Sequence, residues 1–278
     1  MHSLRIGCVK YLNARPLIRG WQGEVDFDHP SALCKRLAKG ELDVALVSSF
    51  ELLRNPTYRI VDDVSISSDG PVYSVLVAHH GDISEIEEIE LDPASETAVN
   101  LLHCLLAELE LNPRLVECST GILPATGWVR RGEPVAPASV SPAVKKSAAR
   151  TARLLIGDQA IRFRKNYSDQ FEFWDLGEQW KKHVGLPFVY ALWLIRLEVA
   201  DAKEIANRLR ELRDENLANL DELIGADKEF DHQFLSRYYR EHLRFSFGEK
   251  EKEGLQTFAT LCATHHLRPK GDLTFTFV

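Results

Sequence analysis

Leu4-Arg5-Ile6-Gly7-Cys8-Val9 reads as a short strand running into a polar turn, Asn13-Ala14-Arg15-Pro16, and the reading of this stretch decides the fold. Pro16 suits the first turn of a helix through Leu17 and Ile18, where its missing N–H would have had no partner anyway. Outward from there, residues 30–40 predict a second helix, with Ser31 as N-cap, Leu33 and Leu37 on one face, and Gly40 just past the end. Val44-Ala45-Leu46-Val47 is a continuous apolar run of strand length, with Ser48-Ser49 at its carboxyl end. Strand, helix and strand in this order predict an α/β fold with a parallel sheet. Ligands of such sheets sit outside the carboxyl ends of the strands.

The same reading predicts strands over 72–77, 86–91, 154–156 and 189–195. Pro93-Ala94-Ser95-Glu96-Thr97 opens a helix whose apolar side holds Leu101, Leu102, Leu105, Leu106 and Leu109. Residues 124–150 carry Pro, Gly, Ser and basic residues without periodicity and read as a surface region. From 201 to 225 and from 230 to 261 the pattern is helical and heavily charged, as solvated faces are.

A chain of 278 residues has room for one large domain or two modest ones. Hydrophobic residues at 45% and charged ones at 27% place it among ordinary globular proteins rather than disordered ones. It has no apolar run of about 18 residues, so no membrane-spanning helix is expected. Lys10 interrupts the apolar stretch a secretory signal would need, and the expected location is the cytoplasm. Five cysteines (Cys8, Cys34, Cys104, Cys118, Cys262) without a CxxC pair read as free, mostly buried thiols. A net charge of −7 argues against a nucleic-acid partner held through phosphates. A small organic anion stays open, because local donors decide its binding.

No GxSxG elbow, P-loop, GxGxxG or HExxH occurs. His79-His80 and His265-His266 are adjacent pairs that cannot converge on one ion, and neither metal nor cofactor is expected. What remains is a set of small polar residues. Asn13 follows the first strand, Ser48-Ser49 the second, and Ser74 lies after Gly70-Pro71. Ser95 and Thr97 stand at a helix start, where free N–H groups favour an anion. Each alone reads as a turn or cap residue. Their placement after several different strands predicts a cleft for a small organic anion, with Tyr11-Leu12-Asn13 on its wall.

Several segments, in order, resemble the chorismate dehydratases of the futalosine route to menaquinone. They are Arg5-Ile6-Gly7, Tyr11-Leu12-Asn13-Ala14-Arg15-Pro16-Leu17 and Asp43-Val44-Ala45-Leu46-Val47-Ser48-Ser49-Phe50-Glu51. Gly70-Pro71-Val72-Tyr73-Ser74-Val75-Leu76 and Leu91-Asp92-Pro93-Ala94-Ser95-Glu96-Thr97 follow. Leu155-Ile156-Gly157-Asp158, Asp175-Leu176-Gly177-Glu178-Gln179-Trp180 and Gly185-Leu186-Pro187-Phe188-Val189-Tyr190-Ala191-Leu192-Trp193 complete the set. The resemblance implies a two-lobed type-2 periplasmic-binding-protein-like fold with the ligand cleft between the lobes. Lobe I would comprise residues 1–87 and 188–278, and lobe II residues 88–187. The crossovers would fall near 75–78 and 189–194.

The implied reaction is a hydro-lyase step, removing water from chorismate to give 3-[(1-carboxyvinyl)oxy]benzoate, without cofactor. On that resemblance Asn13 is the catalytic residue. Tyr11 joins it in binding, Ser49 and Ser74 hold one carboxylate, and Ser95 and Thr97 hold the other. The implied partner is the small-molecule substrate, without nucleic acid or membrane, and the oligomeric state stays open. Lys10 and Glu96 depart from the family pattern, which favours a small or neutral residue and a basic one at these positions. Asp158 reads as a turn or cap residue.

Two alternatives stay open. One is an enzyme like 1,4-dihydroxy-6-naphthoate synthase, whose base would be sought between Leu123 and Leu154, where no histidine stands. The other is a non-enzymatic small-anion-binding protein. A regulator's sensing domain is weaker still, since no helix-turn-helix segment accompanies it.

Overall fold

The computed structural model describes residues 4–92, 94–117, 150–271 and 273–278. Cys118 and all of the 124–150 stretch except Arg150 therefore lie outside the described residues. Eleven strands among the described residues form two sheets. The strands are β1 (Ile6–Cys8), β2 (Val25–Phe27), β3 (Val44–Ser48), β4 (Tyr58–Ser68), β5 (Val75–His79) and β6 (Glu88–Leu91). They continue with β7 (Arg114–Glu117), β8 (Thr151–Ile156), β9 (Glu172–Asp175), β10 (Phe188–Arg196) and β11 (Thr276–Phe277). The first sheet runs β11-β4-β10-β3-β1-β2 and the second β7-β6-β8-β5-β9.

The opening strand-helix-strand unit stands as read: β1 pairs parallel with both β2 and β3. The helix Pro30–Ala38 between them buries Leu33, Cys34 and Leu37, and Gly40 follows it at φ +74°. Its N-cap is His29 rather than Ser31, because Pro30 takes the first helical position and needs no N–H partner.

The all-parallel expectation fails at one strand in each sheet. β10 runs antiparallel to β3 and β4, and β5 runs antiparallel to β8 and β9. These are the strands on which the chain enters the other sheet. β5 lies in the second sheet, so the chain passes from the first sheet to the second between Ser68 and Val75, ahead of residues 87/88. The return comes just before Phe188. The helical expectation for 230–261 is also corrected. The helix His232–Arg237 and the π turn Tyr238–His242 give way to an extended stretch before the helix Glu249–Thr264. Within that stretch Arg244 bridges to Ser67 of β4.

Both passages between sheets are clamped. Asp175 accepts from the N–H groups of Val72 (3.0 Å), Tyr73 (2.7 Å) and Glu178 (3.1 Å), so one carboxylate caps the helix Leu176–Val184 and fixes the first passage. Burial pushes that carboxyl up, and the three N–H groups pull it back. At the second passage Trp180 donates its indole N–H to Pro187 O at 3.3 Å and packs edge-on against Phe188, with ring centroids 5.0 Å apart.

Gly177 shows how tightly the first clamp fits. A Cβ there would lie 2.6 Å from both Gly70 O and the Tyr190 hydroxyl and 2.8 Å from Ser68 Oγ. Backbone cannot yield as a side-chain tip can. Gly177→Ala is therefore expected to destabilise the fold by about 1–3 kcal/mol, read from urea unfolding.

Candidate active site

The turn after β1 is a single 3-10 turn, Leu12–Ala14, with Ala14 N–H donating to Tyr11 O at 3.1 Å. Leu12 is fully buried, which anchors the turn in the core of the first sheet. Its backbone is held from two distant parts of the chain. Leu12 N–H donates to Asp158 Oδ1 at 2.9 Å, and Leu12 O accepts from the Tyr239 hydroxyl at 2.9 Å. Asn13 follows this anchored residue directly. Its Oδ1 is shielded and has no hydrogen-bond partner among the described residues. A buried acceptor left unpaired costs about 1–3 kcal/mol. Such groups in native folds are few and call for a reason such as strain, a bound water or ion, or a catalytic role.

Tyr11 packs its ring on Gly157, where an added Cβ would lie 3.0 Å from Tyr11 Cγ, and Gly157 has φ +58°. Only glycine meets both demands, the left-handed backbone and the ring contact. Burial first, and then the negative charges of Asp92 and Asp158, push the Tyr11 phenol above its ordinary value. Burial raises the carboxyls of Asp92 and Asp158 as well. The Leu12 N–H holds Asp158 down in part, so this carboxylate is fixed in place more than it is freed for chemistry. Gly157 N–H donates to Ser74 O at 2.8 Å, which joins β5 to the same corner. Ser74 Oγ accepts from the Tyr238 hydroxyl at 2.8 Å and keeps its own hydrogen for a second partner.

The remaining predicted residues meet in a second cluster. Thr97 Oγ1 accepts from Phe50 N–H at 3.1 Å, lies 3.3 Å from Ser49 Oγ, and hydrogen-bonds Ser48 Oγ. Ser48 Oγ in turn accepts from Thr97 N–H at 3.1 Å, and Ser49 Oγ donates to Val189 O at 2.7 Å. Ser95 is the N-cap of the helix Glu96–Glu108, accepting from Ala98 N–H at 3.3 Å. So Ser49 and Thr97, expected on two separate carboxylate subsites, share one network that joins the end of β3 to the helix after β6. Glu96 is also tied across this junction, to Arg54 at 2.7 Å, and Arg54 pairs with the buried Glu51 as well.

Thr97 is the hub of that network. Thr97→Val keeps the shape but leaves Phe50 N–H and the two serine hydroxyls short of a partner. It is expected to lower stability by about 1–3 kcal/mol, measured by urea unfolding against wild type.

Four participants escaped the sequence reading. Ser48 was noted beside Ser49, yet it is Ser48 that exchanges two hydrogen bonds with Thr97. Asp158, read as a local turn or cap residue, bonds a backbone group 146 residues away. Tyr238 and Tyr239 come from the helical C-terminal region, where no local signal marks them.

The family model described as menaquinone biosynthesis matches residues 4–264. The chain belongs to the menaquinone biosynthesis family. A chorismate dehydratase of Thermus thermophilus is 28% identical over 284 aligned positions, covering 93% of this chain and 95% of that protein. A chorismate dehydratase of Campylobacter jejuni is 22% identical over 259 positions, covering 92% of each. Among solved structures, protein AF1704 of Archaeoglobus fulgidus aligns with a TM-score of 0.70 at 19% identity, covering 96% of this chain and 100% of that one. The periplasmic aliphatic sulphonate binding protein of Escherichia coli aligns at 0.60 and 12% identity, over 97% and 94%. These likenesses establish the periplasmic-binding-protein-like fold for this menaquinone biosynthesis family member. No helix among the described residues is long and apolar enough to cross a membrane.

Proposed function

We propose that the chain is a chorismate dehydratase, a cytoplasmic hydro-lyase that converts chorismate to 3-[(1-carboxyvinyl)oxy]benzoate. The observation that carries the reading is the shielded, unpartnered Oδ1 of Asn13 on a turn anchored by Asp158 and Tyr239. Family membership and the two chorismate dehydratase relatives support the choice of substrate.

The ring C4 hydroxyl leaves as water with the C3 proton, and the C3–H electron pair completes an aromatic ring. Aromatisation supplies the driving force, so the protein has to position a dianion and exclude competing rearrangement. Asn13 orients the substrate hydroxyl through its amide, which is too weakly basic to take the C3 proton. Tyr11 covers one side of the ligand. The substrate carboxylates take over hydroxyl donors, with Ser49 and Ser74 on one and Ser95 and Thr97 on the other. The Ser48–Thr97 and Ser49–Thr97 bonds and the Ser49 bond to Val189 O then give way as the ligand enters. The two sheets act as lobes hinged at 69–74 and 185–187, closing on the ligand.

Proton NMR of a chorismate incubation tests this. Loss of the ring methine signals and growth of four aromatic protons of a meta-substituted benzoate are expected. Persistence of the ring methines contradicts the proposal.

A further inference from the structure

A cavity of about 590 Å3 lies beside the turn that carries Asn13, yet none of Tyr11, Asn13, Ser49, Ser74, Ser95 or Thr97 lines it. Its size falls within the range of small-molecule sites. Its walls come only from residues 9–27 and from Leu223 and Ala226, so it belongs to the side of the first sheet. Three cations face it, Lys10, Arg15 and Arg19, together with Trp21, Phe27 and Ile18. Arg15 is neutralised by Asp227 at 2.5 Å. The side chains of Lys10 and Arg19 have no ion-pair or hydrogen-bond partner among the described residues.

Acidic residues outnumber basic ones, 41 to 34; many of the arginines pair with a carboxylate, whereas most lysines among the described residues make no ion pair. Two unpaired cations at one cavity therefore leave a local positive field in an acidic protein. Phe27, on the edge strand β2, is among the few large apolar side chains of the described residues that stay exposed, at 44%. Lys10 is among the residues that line this cavity.

We propose that this cavity is a second binding site, for an amphipathic aryl carboxylate. Lys10 and Arg19 take the carboxylate, and Trp21 and Phe27 take the ring. A bare inorganic anion would leave the aromatic wall unused, and a neutral arene would leave the cations unpaired. The site goes beyond the dehydratase reading and shares no residue with the cleft.

Isothermal titration of the full chain with biphenyl-4-carboxylate tests it. One saturable site per chain is expected. Binding weakens about tenfold or more in the Lys10→Gln/Arg19→Gln double variant and in Trp21→Ala, with thermal melts confirming that each variant is folded. Biphenyl-4-carboxamide, which lacks the charge, also binds about tenfold more weakly. Asn13→Ala, altered only in the cleft, binds the probe as wild type does. Absence of saturable heat overturns the proposal, as does equal binding by the double variant. Displacement of the probe by chorismate, or inorganic phosphate binding as tightly as the probe, overturns it too.

Discussion

Asn13→Ala is expected to lower chorismate turnover by about 10²–10³-fold, the usual loss when one preorganised polar group is removed from a reacting centre. KM should change much less, because the serine and threonine hydroxyls that hold the carboxylates remain. Stability should move the other way. Asn13 Oδ1 is a shielded acceptor with no partner among the described residues, so removing it relieves a desolvation cost. Urea unfolding of the variant is expected to show unchanged or higher stability, by up to about 1 kcal/mol. A loss of activity joined to a gain in stability separates a functional residue from a structural one. If Asn13→Ala unfolds more easily than wild type, the residue serves the fold.

The second large effect falls on Asp158. Its Oδ1 is the acceptor for Leu12 N–H, one residue before Asn13, and it reaches the turn from the helix after β8. Asp158→Ala leaves a buried N–H without a partner and frees the turn. A shift of about 1 Å at a reacting centre costs on the order of a hundredfold in rate. A fall in kcat of about 10–100-fold is therefore expected for Asp158→Ala. Asp158→Asn keeps an acceptor oxygen at the same place and loses only the charge. It should recover turnover to within about threefold of wild type if Asp158 positions the turn. Equal losses in the two variants would assign Asp158 a proton-transfer or charge role instead.

Much of the fold was legible because burial writes itself into apolar runs. Val44 to Val47 is buried on both faces, and its unbroken aliphatic sequence says so. β4, the longest strand, was missed for the opposite reason. Ser65, Ser67 and Ser68 are buried within it, and polar residues there hide the strand pattern. Their hydroxyls are satisfied by Ser246 O, Arg244 O and Gly70 O, partners that lie outside the strand or far along the chain. Asp63, at φ +64°, also breaks the alternation, near the register shift against β10. The direction of β5 and β10 was not legible at all. Periodicity reports which faces are buried and carries no sign of whether a strand runs parallel to its neighbour.

The site divides in the same way. Asn13 could be singled out because a polar turn after the first strand of a βαβ unit has a known relation to ligands. That its acceptor is shielded and unpartnered shows only in the folded chain, where Asp158 and Tyr239 hold the backbone of the preceding Leu12. Asp158, Tyr238 and Tyr239 act through such long-range contacts, and no local pattern marks them. Ser48 and Ser49 are neighbours in sequence. Only the approach of Thr97 tells which one exchanges two hydrogen bonds across the junction.

The most direct test of the central claim is product analysis of chorismate incubations with wild type and Asn13→Ala side by side. Wild type should give 3-[(1-carboxyvinyl)oxy]benzoate, lighter than chorismate by one water. The variant, folded and at the same concentration, should leave nearly all the chorismate unreacted over the same period. Prephenate or unchanged chorismate from wild type, or equal product from the two proteins, would contradict the account.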